Sequence, residues 1–458
     1  MMTLKTLAGQ LAAGDTTSRA LVEACLVRIA DENGEGRRAF IAAHEEAARA
    51  EADEIDRLRA LGVAPSPFAG VPLAIKDLFD LAGNRTRAGS RLLEAAPFKT
   101  QDAPAIAHLR RAGFVMIGRT NMTEFAFGAF GINPHYGTPR APFDRATGRI
   151  PGGSTSGGAV AVADGMAAAA IGSDTGGSCR IPAAFCGVVG FKPTSWRVSR
   201  DGVFPLSKTL DSIGPLANSA ECCAILDSWL AGGQGESAPE MPAAGLRIGR
   251  IDGYVDSHIE APVAEAYEAA LKRLADAGAL ILPLKIPELF ELPEINKNGG
   301  ILGAEALALH RKTVATGRAM IDPWVLARIE AAKGQSAVDY LDVLAHRARI
   351  IEAARRRALP FDVLAAPTVQ ILPPPIATIG PYEQSAATNQ LITRNTVIAN
   401  FLDRPSISIP ASGPGEPPVG FMLIGESGED RKLFAIAAAL EPIVRPRSEE
   451  SGTELPRV

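Results

Sequence analysis

Residues 151–194 read PGGSTSGGAVAVADGMAAAAIGSDTGGSCRIPAAFCGVVGFKPT, two glycine–serine clusters on either side of an alanine- and valine-rich run. Glycine pairs let the backbone reach positive φ and come close to a ligand, while serine hydroxyls can attack, relay a proton or cap a helix. Residues 159–163 fit a tightly packed helix ended by Asp164 and Gly165, and 167–171 fit a buried strand. The second cluster, GSDTGGSCR, then falls at that strand's carboxyl end, ahead of a helix expected to start near Pro182. Amides of a glycine turn near a helix N-terminus form an anion site, suited either to a phosphate or to the oxyanion of acyl transfer.

Working outward, the upstream segment SPFAGVPLAIKDLFDLAG carries an apolar run at 71–75 that ends in Lys76 and Asp77. It reads as a buried strand with a charge at its carboxyl end, where α/β proteins bind ligands. A helix over 103–112 and a strand in GFVMIG follow, and this alternation predicts parallel pairing with crossover helices. The next segment, TNMTEFAFGAFGINPHYG, gathers Met122, Phe125, Phe127 and Phe130 as candidates for an apolar pocket wall, with core packing the competing role. Before all this, residues 1–64 read as a helical layer: Leu4, Leu7 and Leu11 share a face, Thr17 or Ser18 caps a second helix, and 42–61 is a solvated third.

Downstream, 232–245 reads as a loop, LRIGRI as a strand and 262–277 as an amphipathic helix. Residues 288–357 are mostly helical, FDVLAAPT and RPSISIP are strand-like, and 444–458 read as a flexible tail. The expected fold is one large α/β domain, with a core over 65–458 built on a mixed, mostly parallel sheet covered by helices on both faces.

Composition excludes several roles. A net charge of −4 offers no basic excess to attract nucleic acid. Five cysteines, one adjacent pair and no CxxC spacing suggest neither a disulfide framework nor a zinc site, and six histidines show no metal-binding spacing. No basic leader and no apolar run long enough for a membrane span occur, so a cytoplasmic protein without membrane partners is expected. Self-association into a homodimer is left open.

Neither cluster matches GxxxxGK[ST] or GxGxxG, and a GxSxG elbow is absent. If a serine attacks here, its base must come from elsewhere, and lysine can serve when its charged form is disfavoured. Lys76 is the strand-end lysine upstream.

GGSTSGG and GSDTGGSCRIPAAFCGVVGFKPT, preceded by GVPLAIKD and TNMTEFA, together resemble the amidase signature family, over roughly residues 65–216 and more loosely beyond. The resemblance implies amide hydrolysis through an acyl-enzyme by a Ser-cisSer-Lys triad, without cofactor or metal, on a small or aryl-bearing amide. Carried over by motif, Ser178 is the nucleophile, Ser154 the bridging serine with a cis peptide, and Lys76 the base. The backbone amides of Thr175, Gly176, Gly177 and Ser178 would form the oxyanion hole. Asp174 and Arg180 would support the nucleophile loop, and 288–357 would help close a substrate funnel. Thr155 and Ser156 depart from the commoner GGSSGG, and Cys179 follows the nucleophile where isoleucine is frequent; a buried structural cysteine is the expectation there. Two other roles compete on the same fold: the amidase-type component of a glutamine-dependent aminoacyl-tRNA amidotransferase, and a non-catalytic binding protein.

Overall fold

Alternation of apolar side chains along short strands decides the architecture, because both faces of the strands are buried. On Pro72–Lys76, Leu73 and Ile75 enter one core cluster and Ala74 another. On Gly420–Ile424, Phe421 and Leu423 join the first cluster while Met422 and Ile424 join a third. A sheet of this kind needs helices on both sides.

The computed structural model describes residues 2–413 and 415–445. Its strands are β1 (Phe40–Ala43), β2 (Pro72–Lys76), β3 (Val115–Thr120), β4 (Ala169–Asp174), β5 (Val189–Lys192), β6 (Ser212–Ala217), β7 (Arg247–Ile251), β8 (Leu280–Leu284), β9 (Val363–Pro367), β10 (Ser406–Pro410) and β11 (Gly420–Ile424). They form one 11-stranded sheet in the order β1-β3-β2-β4-β6-β5-β10-β11-β9-β7-β8. This is the expected mixed α/β sheet. Parallel pairing links β3, β2 and β4 at one end and β9, β7 and β8 at the other, and antiparallel pairs join the strands between.

Register positions the site. The parallel pair β2–β4 matches Leu73 with Ala169, Ala74 with Ala170 and Ile75 with Ile171, so the carboxyl ends of both strands open side by side. The helix Ser156–Ala163 lies fully buried apart from its last residue. Its small side chains let it approach the neighbouring backbone closely. A Cβ on Gly157 would sit 2.1 Å from the Ala39 carbonyl oxygen and 2.7 Å from the Asn121 nitrogen, so no other residue fits there.

Several expected boundaries shift. The first helix of the quoted stretch begins at Ser156 rather than 159, and the helix after the second cluster spans Arg180–Cys186, opening before Pro182. β4 runs on to Asp174 because Ser173 and Asp174 keep pairing with Ile213 and Ser212 of β6. The N-terminal layer is not purely helical: β1 pairs antiparallel with β3 at the sheet edge. Four residues between helices are too few for a two-residue period to stand out. The tail boundary also moves, since Val444 is a fully buried end of the helix Asp430–Val444. Residues 446–458 lie outside the described residues.

That last helix is integral to the core. Phe434 packs against Phe191 of β5 with ring centroids 4.2 Å apart, and Phe191 is 0% exposed. Phe191→Ala should therefore cost about 3–5 kcal/mol of stability, measured as a lower denaturant midpoint with an unchanged slope.

Candidate active site

Lys76 ends β2, and its side chain is fully buried. Its amine donates to Ser154 Oγ at 2.8 Å and to Ser173 Oγ at 2.9 Å, and among the described residues no carboxylate pairs with it. Burial pulls the amine from its ordinary 10.5 down to about 8. Nearby acids push the other way, but Asp174 is neutralised by Arg180 and the Cys179 thiol is pushed up to about 12 by its own burial, so desolvation wins.

Ser154 follows a cis Gly153–Ser154 peptide. The Gly153 amide donates to the Ala129 carbonyl at 2.7 Å, and the Ser154 carbonyl accepts from the Thr123 amide at 3.2 Å. The Thr155 amide then donates to the Ser178 carbonyl at 3.2 Å, tying the two glycine–serine loops together through backbone. Among the described residues no hydrogen bond joins the Ser178 hydroxyl to Ser154.

The nucleophile loop hangs on Asp174. Its carboxylate accepts from the Gly177 amide at 2.8 Å, the Cys179 amide at 3.1 Å, Arg180 Nε at 3.0 Å and Asn400 Nδ2 at 2.9 Å. Arg180, also fully buried, pairs with Asp174 at 2.9 Å and donates onward to the Thr396 carbonyl at 2.9 Å and to Asn400 Oδ1 at 2.7 Å. Asp174 is itself desolvated, yet the Arg180 guanidinium and these donors hold its carboxyl well below the usual range. Gly177 adopts φ 127°, and a Cβ there would meet Thr396 Oγ1 at 2.3 Å. Thr396 Oγ1 in turn donates to the Gly176 carbonyl at 2.7 Å.

A cleft opens over this loop, lined by Ala126–Ala129, Gly153, Thr175, Gly176, Ser178, Ile181, Leu206, Leu302, Arg328 and Thr393. Phe125 and Ala126 hold consecutive left-handed backbones at φ 53° and 60° just before this wall, a conformation rare away from functional sites.

With this geometry in place, similarity to known proteins is decisive. The Amidase family model matches residues 20–434. The chain belongs to the amidase signature family. It is 36% identical to 2-amino-5-chloromuconic acid deaminase of Comamonas testosteroni over 401 residues, 87% of this chain and 86% of that one. It is 34% identical to the amidase-type component of the Glutamyl-tRNA(Gln) amidotransferase of Ralstonia nicotianae, covering 96% of this chain and 97% of that one. A solved amidase crystal structure superposes with a TM-score of 0.86 at 33% identity, covering 96% and 99% of the two chains. The protein is a hydrolase acting on amide C–N bonds.

Within this amidase the structure brings Lys76 and Ser154 together and puts Ser178 at the floor of the cleft. One expected oxyanion donor is corrected: the Gly177 N–H is turned onto Asp174, while the Gly176 and Ser178 amides donate to no protein group among the described residues. The four pocket candidates divide. Phe127 lines the cleft, whereas Met122 and Phe125 are fully buried in the core, Phe125 against Phe204 and His310. Phe130 packs edge-on to Trp324 behind the wall. Cys179 is a buried thiol with its Sγ on the Gly214 carbonyl at 3.6 Å. No helix among the described residues is long and apolar enough to cross a membrane.

Ser173, Thr396, Asn400 and Arg328 carry no signal of their roles in the sequence. Ser173 stands inside the quoted stretch, one residue before Asp174. The other three come from segments with no motif of their own.

Removing Arg180 would leave Asp174 charged and unpaired in the interior, so Arg180→Met should cost about 3–5 kcal/mol. Combining it with Asp174→Asn should cost less than the two single losses added together; a double-mutant cycle by chemical denaturation measures both.

Proposed function

We propose that the protein hydrolyses a small carboxamide through an acyl-enzyme on Ser178, with Ser154 as proton relay and Lys76 as base. The observation that carries this is the fully buried, acid-free Lys76 amine at 2.8 Å from Ser154. In its neutral form Lys76 takes the Ser154 proton as Ser154 takes that of Ser178, and the Ser178 oxygen bonds to the amide carbon. The tetrahedral oxyanion is met by the amides of Gly176 and Ser178, with Thr175 alongside. The proton then returns through Ser154 to the nitrogen as the C–N bond breaks, releasing ammonia or an amine. Water attacks the Ser178 ester with the same relay acting as base, giving the carboxylate and free serine. Ser173, on the other side of the amine, holds Lys76 in line with Ser154.

A stand-alone hydrolase fits the cleft better than a glutamine-using component of a larger enzyme. Its described lining includes no aspartate or glutamate, and a glutamine's α-ammonium would be left without a counter-charge there. The cleft's aromatic content is Phe127 alone, so an aryl group has little to stack on.

Ammonia release should be detected when the purified chain alone is given a panel of simple carboxamides. Release from glutamine only, and only in the presence of a second protein, would overturn the stand-alone reading. Ser178→Ala should lower kcat by at least about 10³-fold. The active lysine is the deprotonated one, and burial has lowered its pKa, so the acid limb of kcat/KM should rise with a midpoint at about 8. A limb near the ordinary lysine value, or one unmoved in Lys76→Ala, would contradict the role of Lys76.

A further inference from the structure

Arg328 is the one charged side chain among the described residues that line the cleft over Ser178. It comes from the helix Pro323–Glu330, far along the chain from the catalytic loops. Its guanidinium carbon lies 4.3 Å from the centre of the Phe127 ring and 5.7 Å from that of Trp324. Trp324 is itself fixed, edge-on to Phe130 and Tyr382 at 5.4 and 5.5 Å, with its Nε1 donating to Ser385 Oγ at 3.2 Å.

Aromatic faces steady a guanidinium but accept few of its five N–H groups. The fully buried arginines of the molecule are answered by acids, Arg119 by Asp77 at 2.6 Å and Arg180 by Asp174 at 2.9 Å. Among the described residues no aspartate or glutamate forms an ion pair with Arg328. Burial lowers its pKa only to about 10, so it stays cationic at neutral pH. A cation held rigid, partly desolvated and unpaired beside a nucleophile is arranged for an anion that arrives with the substrate.

We propose that Arg328 is the specificity group for a carboxylate on the acyl side of the substrate, so that the preferred substrates are short amides bearing a second, free carboxylate, the monoamides of dicarboxylic acids. This rests on the hydrolase reading above. A carboxylate matches the planar fork of arginine with two parallel hydrogen bonds. A phosphate dianion would bring a second charge into a cleft whose remaining walls are Ile181, Leu206 and Leu302, with nothing to balance it. An amino acid's ammonium group would face the same want of a partner. Placement on the acyl side follows from the product: if ammonia leaves, the acyl part is all that remains to hold a charge.

The test compares kcat/KM for succinamate and glutaramate with butyramide and valeramide, which replace the carboxylate by methyl, and with N-butyrylglycine, which carries it on the leaving side. The wild type should prefer the acyl-side carboxylates on the order of 10- to 100-fold, the range of a hydrogen-bonded charge pair. Arg328→Gln should bring that ratio to within about threefold of unity, and Arg328→Lys should keep part of it, since an ammonium offers the charge without the fork. Where the glutamine variant does not fold, the lysine variant decides. Equal rates on charged and neutral amides, an undiminished preference in Arg328→Gln, or a preference for N-butyrylglycine would each overturn the proposal. If no amide of either kind is turned over, the hydrolase reading fails separately, and calorimetric binding of succinamate settles the arginine. Binding lost in Arg328→Gln upholds the assignment; binding absent, or unaffected by the substitution, overturns it.

Discussion

A lysine amine sealed from water with hydroxyls and no carboxylate for neighbours is the constraint on which the site depends. Lysine in water holds its proton at neutral pH, and it becomes a base only when its surroundings cannot support the charge. Lys76 meets that condition at the end of a strand buried on both faces, 0% exposed, with its pKa drawn down to about 8. Lys192 shows that burial alone is not enough. It too is buried and drawn down to about 8, but its amine donates to the carbonyl of Pro193 at 2.6 Å, which has no proton to give. What separates the two lysines is a hydroxyl in reach, and the β2–β4 register together with the Ser154 loop supplies it.

The second demand is that a loop of glycines should hold still. Asp174 does this by accepting from backbone amides on both sides of Ser178 while its charge is balanced by Arg180. A buried pair of this kind adds little net stability, because desolvation of two ions offsets most of their attraction. Its effect is positional. Arg180 and Asn400 reach one another across the fold, so the C-terminal half of the chain clamps a loop contributed by the N-terminal half. Gly177 belongs to the same device: its φ of 127° and the 2.3 Å gap to Thr396 admit no side chain.

Legibility follows the range of the interactions. The two clusters, the strand ending in Lys76, and the strand–helix–strand run from 71 to 118 can be read because each signal lies within a few residues. Ser173 is visible as a residue but not as a partner, since a hydrogen bond to Lys76 depends on how β2 and β4 are paired. Thr396, Asn400 and Arg328 cannot be found at all: each sits in an ordinary amphipathic helix and acquires a role only through a contact more than a hundred residues away in sequence. The phenylalanines of 125–130 mislead in the opposite direction. Their local density suggests a pocket wall, but successive left-handed residues at 125 and 126 send Phe125 into the core and leave Phe127 to the cleft. β1 escapes because four residues carry too little pattern.

Bond-breaking and choice of substrate are thus built from different parts of the chain. The reacting groups lie within Lys76 and 151–180, on strands and buried loops whose every displacement would break a backbone contact. Leu302 and Arg328 reach the cleft from helices outside the sheet, where a substitution changes what the cleft receives without touching the relay. A fold arranged in this way can keep one way of opening an amide while the residue facing the acyl group changes. The chemistry of an individual member is then to be read from the helix that overhangs the nucleophile, and in this chain that helix presents an arginine without an acid.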